Sequence, residues 1–190
     1  GGENKYENRI AGEKNHDGIK NGRSVDSVTE GFAEFFALWV KGSSVYKWGP
    51  STDLENNLQN MTRKKVDASG RVVRNASGRA VFERVMDEEF QVAALLWDIL
   101  DSAVDAGDAI DLTDKQMWSV INRVTVKDVP SIYKEVRGPL RGRKSNAANP
   151  LDDVDTLFVA HRFFSDTNNN GKWDAGEKIG TADFYHKAGH

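Results

Sequence analysis

The stretch SVTEGFAEFFALWVKG, residues 27–42, decides the fold because its apolar side chains lie on almost every side of a helix. Ser27 followed by Glu30 has the spacing of a capping box, so we expect a helix to begin here. Gly42 is expected to end it. A helix that is apolar all round is buried rather than half-exposed. The sequence therefore predicts a helical protein built around this segment.

The helical period returns in later segments. Residues 85–104 predict a helix whose broad apolar face contains Val85, Phe90, Ala93, Leu96, Trp97, Leu100 and Val104. Thr113 with Gln116 has capping-box spacing and opens another helix. Pro130 is expected in the first turn of a short helix. The segment 151–164 should place five side chains on one helical face: Val154, Leu157, Phe158, His161 and Phe164.

These patterns predict a mainly α fold of about five helices with a small β-hairpin insertion. The hairpin is expected from short β-branched runs at 71–74 and 79–82, between Ser-Gly pairs. For the domain organisation we expect a helical core segment at 1–138, a basic Gly- and Pro-containing connector at 139–150, and a helix plus a calcium-binding loop at 151–190.

Composition narrows the function classes. The 190 residues carry a formal net charge of −3, which predicts no nucleic-acid partner. There is no cysteine, so disulfide frameworks and thiol catalysis are excluded. No apolar stretch has the roughly 18 residues of a membrane span. The chain opens without Met or a signal-like segment, so we expect a fragment or a mature form.

The clearest functional motif is DTNNNGKWDAGE, residues 166–177. An EF-hand loop takes calcium ligands from positions 1, 3, 5, 7, 9 and 12, with Gly at position 6 for the turn. Gly171 stands at position 6. The ligand positions are Asp166, Asn168, Asn170, Lys172 (through its carbonyl), Asp174 and Glu177. All-oxygen ligands of this kind predict Ca²⁺ rather than zinc or copper.

Two features separate this loop from a paired EF-hand. Trp173 occupies the position where an aliphatic residue is usual, and Gly176 and Gly180 oppose a regular second helix. Only three ligands carry charge, which predicts an affinity of roughly 0.1–1 mM, the range of extracellular modules. We therefore expect an EF-hand-like loop, filled and structural, in an extracellular or cell-surface protein.

The segments TEGFAEFFA (29–37) and EEFQVAALLWDILDS (88–102) resemble two helices of zinc metallopeptidases of the gluzincin type. Gly1-Gly2-Glu3 is similar to a stretch between the metal-ligand helices of that family. Residues 154–177 resemble the tail of its secreted members. The resemblance implies a peptide hydrolase with a peptide or protein substrate. It also implies that Glu30 is the third zinc ligand.

The chain departs from this family where the chemistry lies, because it contains no HExxH motif. Its histidines are His16, His161, His186 and His190. His186 and His190 stand four residues apart, but Lys187 takes the place of the glutamate of HExxH. A catalytic zinc needs about three protein ligands, which Glu30 alone cannot supply. We expect no catalytic residue in this chain, and Zn²⁺ only in the complete protein. Either the chain lies C-terminal to HExxH, which we favour, or it is a relative that lost catalysis.

A few further residues are candidates for metal binding. Asp98 and Asp101 lie on an apolar helix, and the simplest expectation is that they bond to backbone or arginine. Residues 105–111, DAGDAID, are rich in carboxylates but fit no standard loop. His161 is expected to be a core histidine with hydrogen-bond partners. The alternative function is a non-catalytic extracellular calcium-binding or cell-surface module.

Overall fold

The computed structural model describes residues 24–46, 52–55, 62–65, 67, 71–84, 88–101, 109–125 and 127–187. Within these ranges the predicted mainly α class is confirmed. The helices are α1 (Ser24–Lys41), α2 (Glu88–Leu100), α3 (Asp114–Arg123), α4 (Val129–Leu140), α5 (Asp153–Ala160) and α6 (Asp183–Lys187). The short strands are β1 (Val45–Tyr46), β2 (Thr52–Asp53), β3 (Thr62–Lys64) and β4 (Phe82–Arg84).

The strands pair locally. β1 pairs antiparallel with β2, and β3 pairs antiparallel with β4. Between β3 and β4, Arg74 and Ala80 form an antiparallel bridge around a turn in which the Asn75 side chain accepts the Ser77 and Arg79 N–H groups. The paired segments are short, so the helices carry the core.

The pair α1–α2 makes the most extensive contact between elements of the described chain. Phe35 and Leu38 of α1 are fully buried, as are Val92 and Leu95 of α2. The two backbones approach closely at Gly31, where an added Cβ would lie 2.3 Å from the Glu89 carbonyl oxygen. A glycine at this point of α1 is therefore required by packing rather than by backbone conformation.

The start of α1 differs from the sequence prediction. The helix begins at Ser24, and Ser27 is 1% exposed inside it rather than at its N-cap. The capping-box prediction there is wrong because Ser27 is itself buried within the helix, and packing overrides the local cap signal. The predicted end is confirmed, since Gly42 follows Lys41 with a φ of 67°.

The starts of α3 and α4 follow their sequence signals. Thr113 and Gln116 form the capping box at α3. Asp128 caps α4 by accepting the Ser131 N–H, and Pro130 lies in the first turn. Helix α4 then contacts the N-terminus of α5 through partly buried charge pairs.

The contact between α4 and α5 centres on Arg137. Arg137 pairs with Asp152, the N-cap of α5, and with Asp155. The Tyr133 hydroxyl also donates to Asp155, at 2.5 Å. Burial raises the pKa of Tyr133 above its ordinary value, and the hydrogen bond to Asp155 raises it further. This network fixes α5 and the segment that follows it.

Helix α5 is shorter than the sequence predicted. It ends at Ala160, with His161 as its C-cap, and Arg162 has a φ of 63° that breaks the helical path. Phe164 lies beyond the helix and bridges to Ile179. The apolar period continued past the helix because Phe163 and Phe164 are buried in irregular backbone, not in a helical turn. None of the helices in the described ranges is long and apolar enough to cross a membrane.

Candidate metal centre

The loop at 166–177 has a hydrogen-bonded stem. Ser165 donates its N–H to the Lys178 carbonyl at 2.7 Å, and the Lys178 N–H returns a bond to Ser165 Oγ at 2.9 Å. Phe164 bridges to Ile179, and the Gly180 N–H donates to the Phe163 carbonyl at 2.8 Å. The two ends of the twelve-residue loop are therefore adjacent in space.

Asp166 organises the first half of the loop. It is 5% exposed, and its Oδ1 and Oδ2 accept the N–H groups of Asn170 at 3.0 Å and Gly171 at 2.8 Å. Gly171 has a φ of 76°, a conformation that glycine adopts without the penalty other residues carry. The sequence prediction of a sharp turn at Gly171 is thus confirmed.

Asp174 receives both asparagine amides of the loop. Asn168 Nδ2 donates to Asp174 Oδ2 at 2.8 Å, and Asn170 Nδ2 donates to the same oxygen at 2.7 Å. The hydrogen bond from Asn168, then that from Asn170, lowers the pKa of Asp174. Two partial positive charges therefore lie beside this carboxylate.

Glu177 closes the loop onto its own main chain. Its Oε2 accepts the Asp174 N–H at 2.9 Å, and its Oε1 accepts the Thr167 N–H at 2.6 Å. The bond from the Asp174 N–H, followed by that from Thr167, lowers the pKa of Glu177. Trp173 Nε1 donates to the Glu177 carbonyl at 3.0 Å, which holds the indole against the end of the loop.

The five oxygen-bearing side chains are thus folded into one loop, but their oxygens are engaged with the loop itself. Asp166, Asp174 and Glu177 do not form a set of carboxylates within 4.8 Å of one another among the described residues. Asn168 and Asn170 turn amide nitrogen toward Asp174. Lys172 is exposed, and its N–H donates to Asn170 Oδ1. Cation binding here would require the side-chain amides of Asn168 and Asn170, at loop positions 3 and 5, to rotate by about 180°. Each would then present its oxygen to the ion in place of its nitrogen.

A second acidic cluster lies beside α2. Single carboxylate oxygens of Glu55, Asp98 and Asp101 all lie within 4.8 Å of one another, and these three residues could hold a metal ion. Trp97 Nε1 donates to Glu55 Oε2 at 2.9 Å and fixes the orientation of that carboxylate. Three carboxylates at this range repel one another unless a proton or a cation lies between them.

His161 joins this cluster to the stem of the loop. Its Nε2 lies 2.6 Å from Asp98 Oδ2, and its Nδ1 lies 2.8 Å from Gln91 Nε2. Because an amide nitrogen only donates, Nδ1 accepts and Nε2 carries the proton given to Asp98. The Tyr185 hydroxyl donates to the His161 carbonyl at 2.9 Å. His161 is a buried, fully bonded core histidine, as expected, whereas Asp98 bonds to this histidine rather than to an arginine.

Glu30 does not gather other ligands. It lies half-buried on α1, and no group of metal-binding side chains in the described ranges includes it. The described residues therefore do not fit a zinc site around Glu30. Asp111 is exposed and belongs to no such group either. The remaining predicted residues lie outside the described ranges: Gly1, Gly2, Glu3, His16, Asp105, Asp108 and His190.

Glu55 and Gln91 were missed by sequence reasoning. Glu55 stands in the turn after β2, and nothing in its local sequence indicates a partner on α2. The signal that existed was the acidic pair Asp98 and Asp101 on an otherwise apolar helix. Carboxylates in such a place require partners from elsewhere in the fold.

Comparison with known proteins gives no match at any level: no family model, no curated protein and no solved structure corresponds significantly to this chain.

Proposed function

We propose that this chain is a calcium-binding helical module in which loop 166–177 holds the ion and thereby stabilises the C-terminal region. In this proposal the loop is EF-hand-like, and segment 62–84 is a small β-hairpin insertion in the helical core. The observation that carries the proposal is that one loop, closed by a hydrogen-bonded stem, holds Asp166, Asn168, Asn170, Asp174 and Glu177. Gly171 turns the chain at the position the motif requires.

In this proposal the loop stabilises the C-terminal region more strongly when calcium is bound. Without calcium, the amides of Asn168 and Asn170 neutralise part of the charge on Asp174. A bound calcium ion would replace those amide hydrogens with a full divalent charge, and oxygen ligands at short range suit it. With three charged ligands the affinity fits calcium levels outside cells, so we infer an extracellular or cell-surface location.

The proposal is tested by thermal unfolding in calcium and in chelator. At about 10 mM calcium and a Kd of roughly 0.1–1 mM, binding should add about 1–3 kcal/mol. That gain raises the melting temperature by about 3–10 °C. Equal melting temperatures in calcium and chelator would overturn the proposal.

Variants locate the ion within the loop. Asp174→Ala removes an exposed ligand at position 9 and should abolish most of the calcium-dependent gain. Lys172→Ala is the matched control, because position 7 contributes only its carbonyl and the gain should persist. Asp166→Ala and Glu177→Ala should also lower the melting temperature in chelator, since both side chains accept main-chain N–H groups of the loop.

We propose further that the module is the helical portion of a secreted zinc metallopeptidase-like protein. Support comes from the packing of the two segments that carry the resemblance. TEGFAEFFA lies in α1 and most of EEFQVAALLWDILDS in α2, and Gly31 of the first segment contacts the Glu89 carbonyl of the second. In the complete protein Glu30 would be a zinc ligand, and zinc would supply an activated water for peptide hydrolysis.

The test is the gene sequence upstream of Gly1, followed by zinc analysis of the longest expressed chain. An HExxH motif upstream, together with stoichiometric zinc that Glu30→Gln removes, supports the peptidase relationship. Absence of that motif favours a non-catalytic extracellular calcium-binding or cell-surface module. Tight stoichiometric zinc in the present chain would contradict the assignment of missing histidine ligands.

A further inference from the structure

An apolar cavity of about 260 Å³ is lined by residues of α1, α2, α3 and α4 and of the connection between α3 and α4. Val28 and Phe32 of α1, Leu96 of α2 and Ile132 of α4 form part of its wall. Val120 of α3 lies beside them. Such a space costs stability when it stays empty, because the side chains around it lack packing partners.

The mouth of the cavity is aromatic and exposed. Trp118 lines the cavity and is 50% exposed, and its ring centroid lies 6.4 Å from that of Trp39. Phe36, 40% exposed, stacks against Phe32 with centroids 6.0 Å apart. The apolar interior thus continues onto an exposed aromatic surface, as is typical of ligand-binding sites rather than of closed packing defects.

One charged side chain lines the cavity, and it is positive. Lys127 lies in the connection between α3 and α4 and is exposed. Within the part of the chain that the structure describes, Lys127 forms no ion pair. A flexible ammonium group beside an apolar cavity complements a ligand with an anionic head and an apolar tail.

We propose that this cavity binds a medium-chain carboxylate, with its hydrocarbon tail among the apolar side chains and its carboxylate at Lys127. The volume limits the tail. At roughly 30 Å³ for each water-sized group, the cavity holds about nine such groups. The predicted ligand is therefore a straight-chain acid of about eight to ten carbons.

The test is calorimetric titration of the chain with straight-chain acids of increasing length, below their micelle concentrations. Chelator is kept present because calcium precipitates such acids. Each two carbons added should tighten binding about tenfold up to nonanoate or decanoate, and the gain should stop there. A continued gain up to hexadecanoate, or no saturable binding of decanoate, would overturn the proposal.

Two variants identify the head and tail sites. Lys127→Met should weaken decanoate about threefold to fivefold while leaving decanol unchanged. Lys134→Met, which alters an exposed lysine of α4 that does not line the cavity, is the matched control. Ile121→Trp fills the cavity from a half-buried wall position and should weaken both ligands at least tenfold.

Circular dichroism and the melting temperature establish that each variant is folded, and Val124→Phe offers a second, milder filling of the same wall. Decanoate affinity that is unchanged in both filling variants would overturn the cavity assignment. Equal loss of decanoate and decanol binding in Lys127→Met would overturn the role of the ammonium group.

Discussion

The α1–α2 pair and the loop at 166–177 are stabilised by opposite kinds of interaction. Phe35, Leu38 and Val92 are fully buried, and the two helices meet at a glycine against a carbonyl. The loop is held together by hydrogen bonds to the exposed carboxylates of Asp174 and Glu177. These hydrogen bonds lower the pKa of both groups. The stability of the helix pair should therefore change when a single methyl group is added at the contact. The stability of the loop should instead depend on pH and on cation concentration.

The largest effect is expected for Gly31→Ala. Alanine usually stabilises a helix interior relative to glycine, but here its Cβ would lie 2.3 Å from Glu89 O and 2.9 Å from Val92 Cβ. Separating two backbones costs about 3 kcal/mol or more. Urea unfolding measures this loss.

Gly138→Ala in α4 is the matched control, because nothing lies within 4 Å of a Cβ there. Its effect should stay below about 1 kcal/mol, since the helix-forming gain of alanine is offset by the following Pro139. Equal effects at Gly31 and Gly138 would contradict the close approach of α1 and α2.

A second pair of glycines tests the region around the loop. Gly180 and Gly176 have φ values of 76° and 101°, but a Cβ at Gly180 would lie 2.3 Å from the Tyr133 ring, whereas Gly176 has open space. Gly180→Ala should lower the free energy of unfolding by about 2–3 kcal/mol, through strain and overlap together. Gly176→Ala should cost about 1 kcal/mol from strain alone. A larger loss for Gly176→Ala would mean that conformation, not packing against α4, limits this segment.

The two regions meet at His161, which bonds to Asp98 and Gln91 of α2 and leads into the loop stem. His161→Leu removes both bonds and leaves the partly buried Gln91 and Asp98 side chains without this partner, so we expect a loss of about 2 kcal/mol in the free energy of unfolding. His161→Gln retains a donor and an acceptor and should recover part of that loss. If leucine and glutamine were equally tolerated, the bonds to α2 would contribute little.

The smallest effect is the pH dependence of the loop in chelator. The folded pKa values of Asp174 and Glu177 lie below their ordinary values of 3.8 and 4.5. Groups with lowered folded pKa stabilise the folded state above the unfolded pKa, and this contribution is lost as the pH falls through the folded pKa. Thermal unfolding should therefore show a small loss starting near pH 4.5 and growing below it.

The double variant Asp174→Asn with Glu177→Gln isolates that pH effect. It should lack the part of the acid loss that belongs to the loop and keep whatever the rest of the chain contributes. Acid profiles that coincide for the variant and the parent chain would mean that the two carboxylates do not act through these hydrogen bonds.

Local sequence signals predicted helices well where the signal and the packing agree. Thr113 with Gln116, and Asp128 with Pro130, begin helices because their own side chains or rings satisfy the first turn. Ser27 has the spacing of a helix cap, but it is buried inside α1 beside the core residue Val28, and a local pattern does not reveal that burial. The helix was predicted to continue through Phe164 because buried residues in irregular backbone show the same apolar pattern in the sequence as one face of a helix.

Sequence reasoning could group candidate site residues only where they are contiguous in the chain. The loop residues follow a fixed spacing, so Asp166 and Gly171 could be identified together, and their mutual bonds follow from that spacing. The cluster of Glu55 with Asp98 joins residues far apart in the chain. No spacing rule brings such residues together, because their contact depends on how the turn after β2 meets α2, where Trp97 donates to Glu55.

The stem at 163–165 and 178–180 has a practical consequence for protein engineering. Its hydrogen bonds and the Phe164–Ile179 bridge join the two ends of the twelve-residue loop directly. We therefore expect that the loop could be replaced by a tight turn while the rest of the protein remains folded. We also expect that it could be transplanted onto another antiparallel stem.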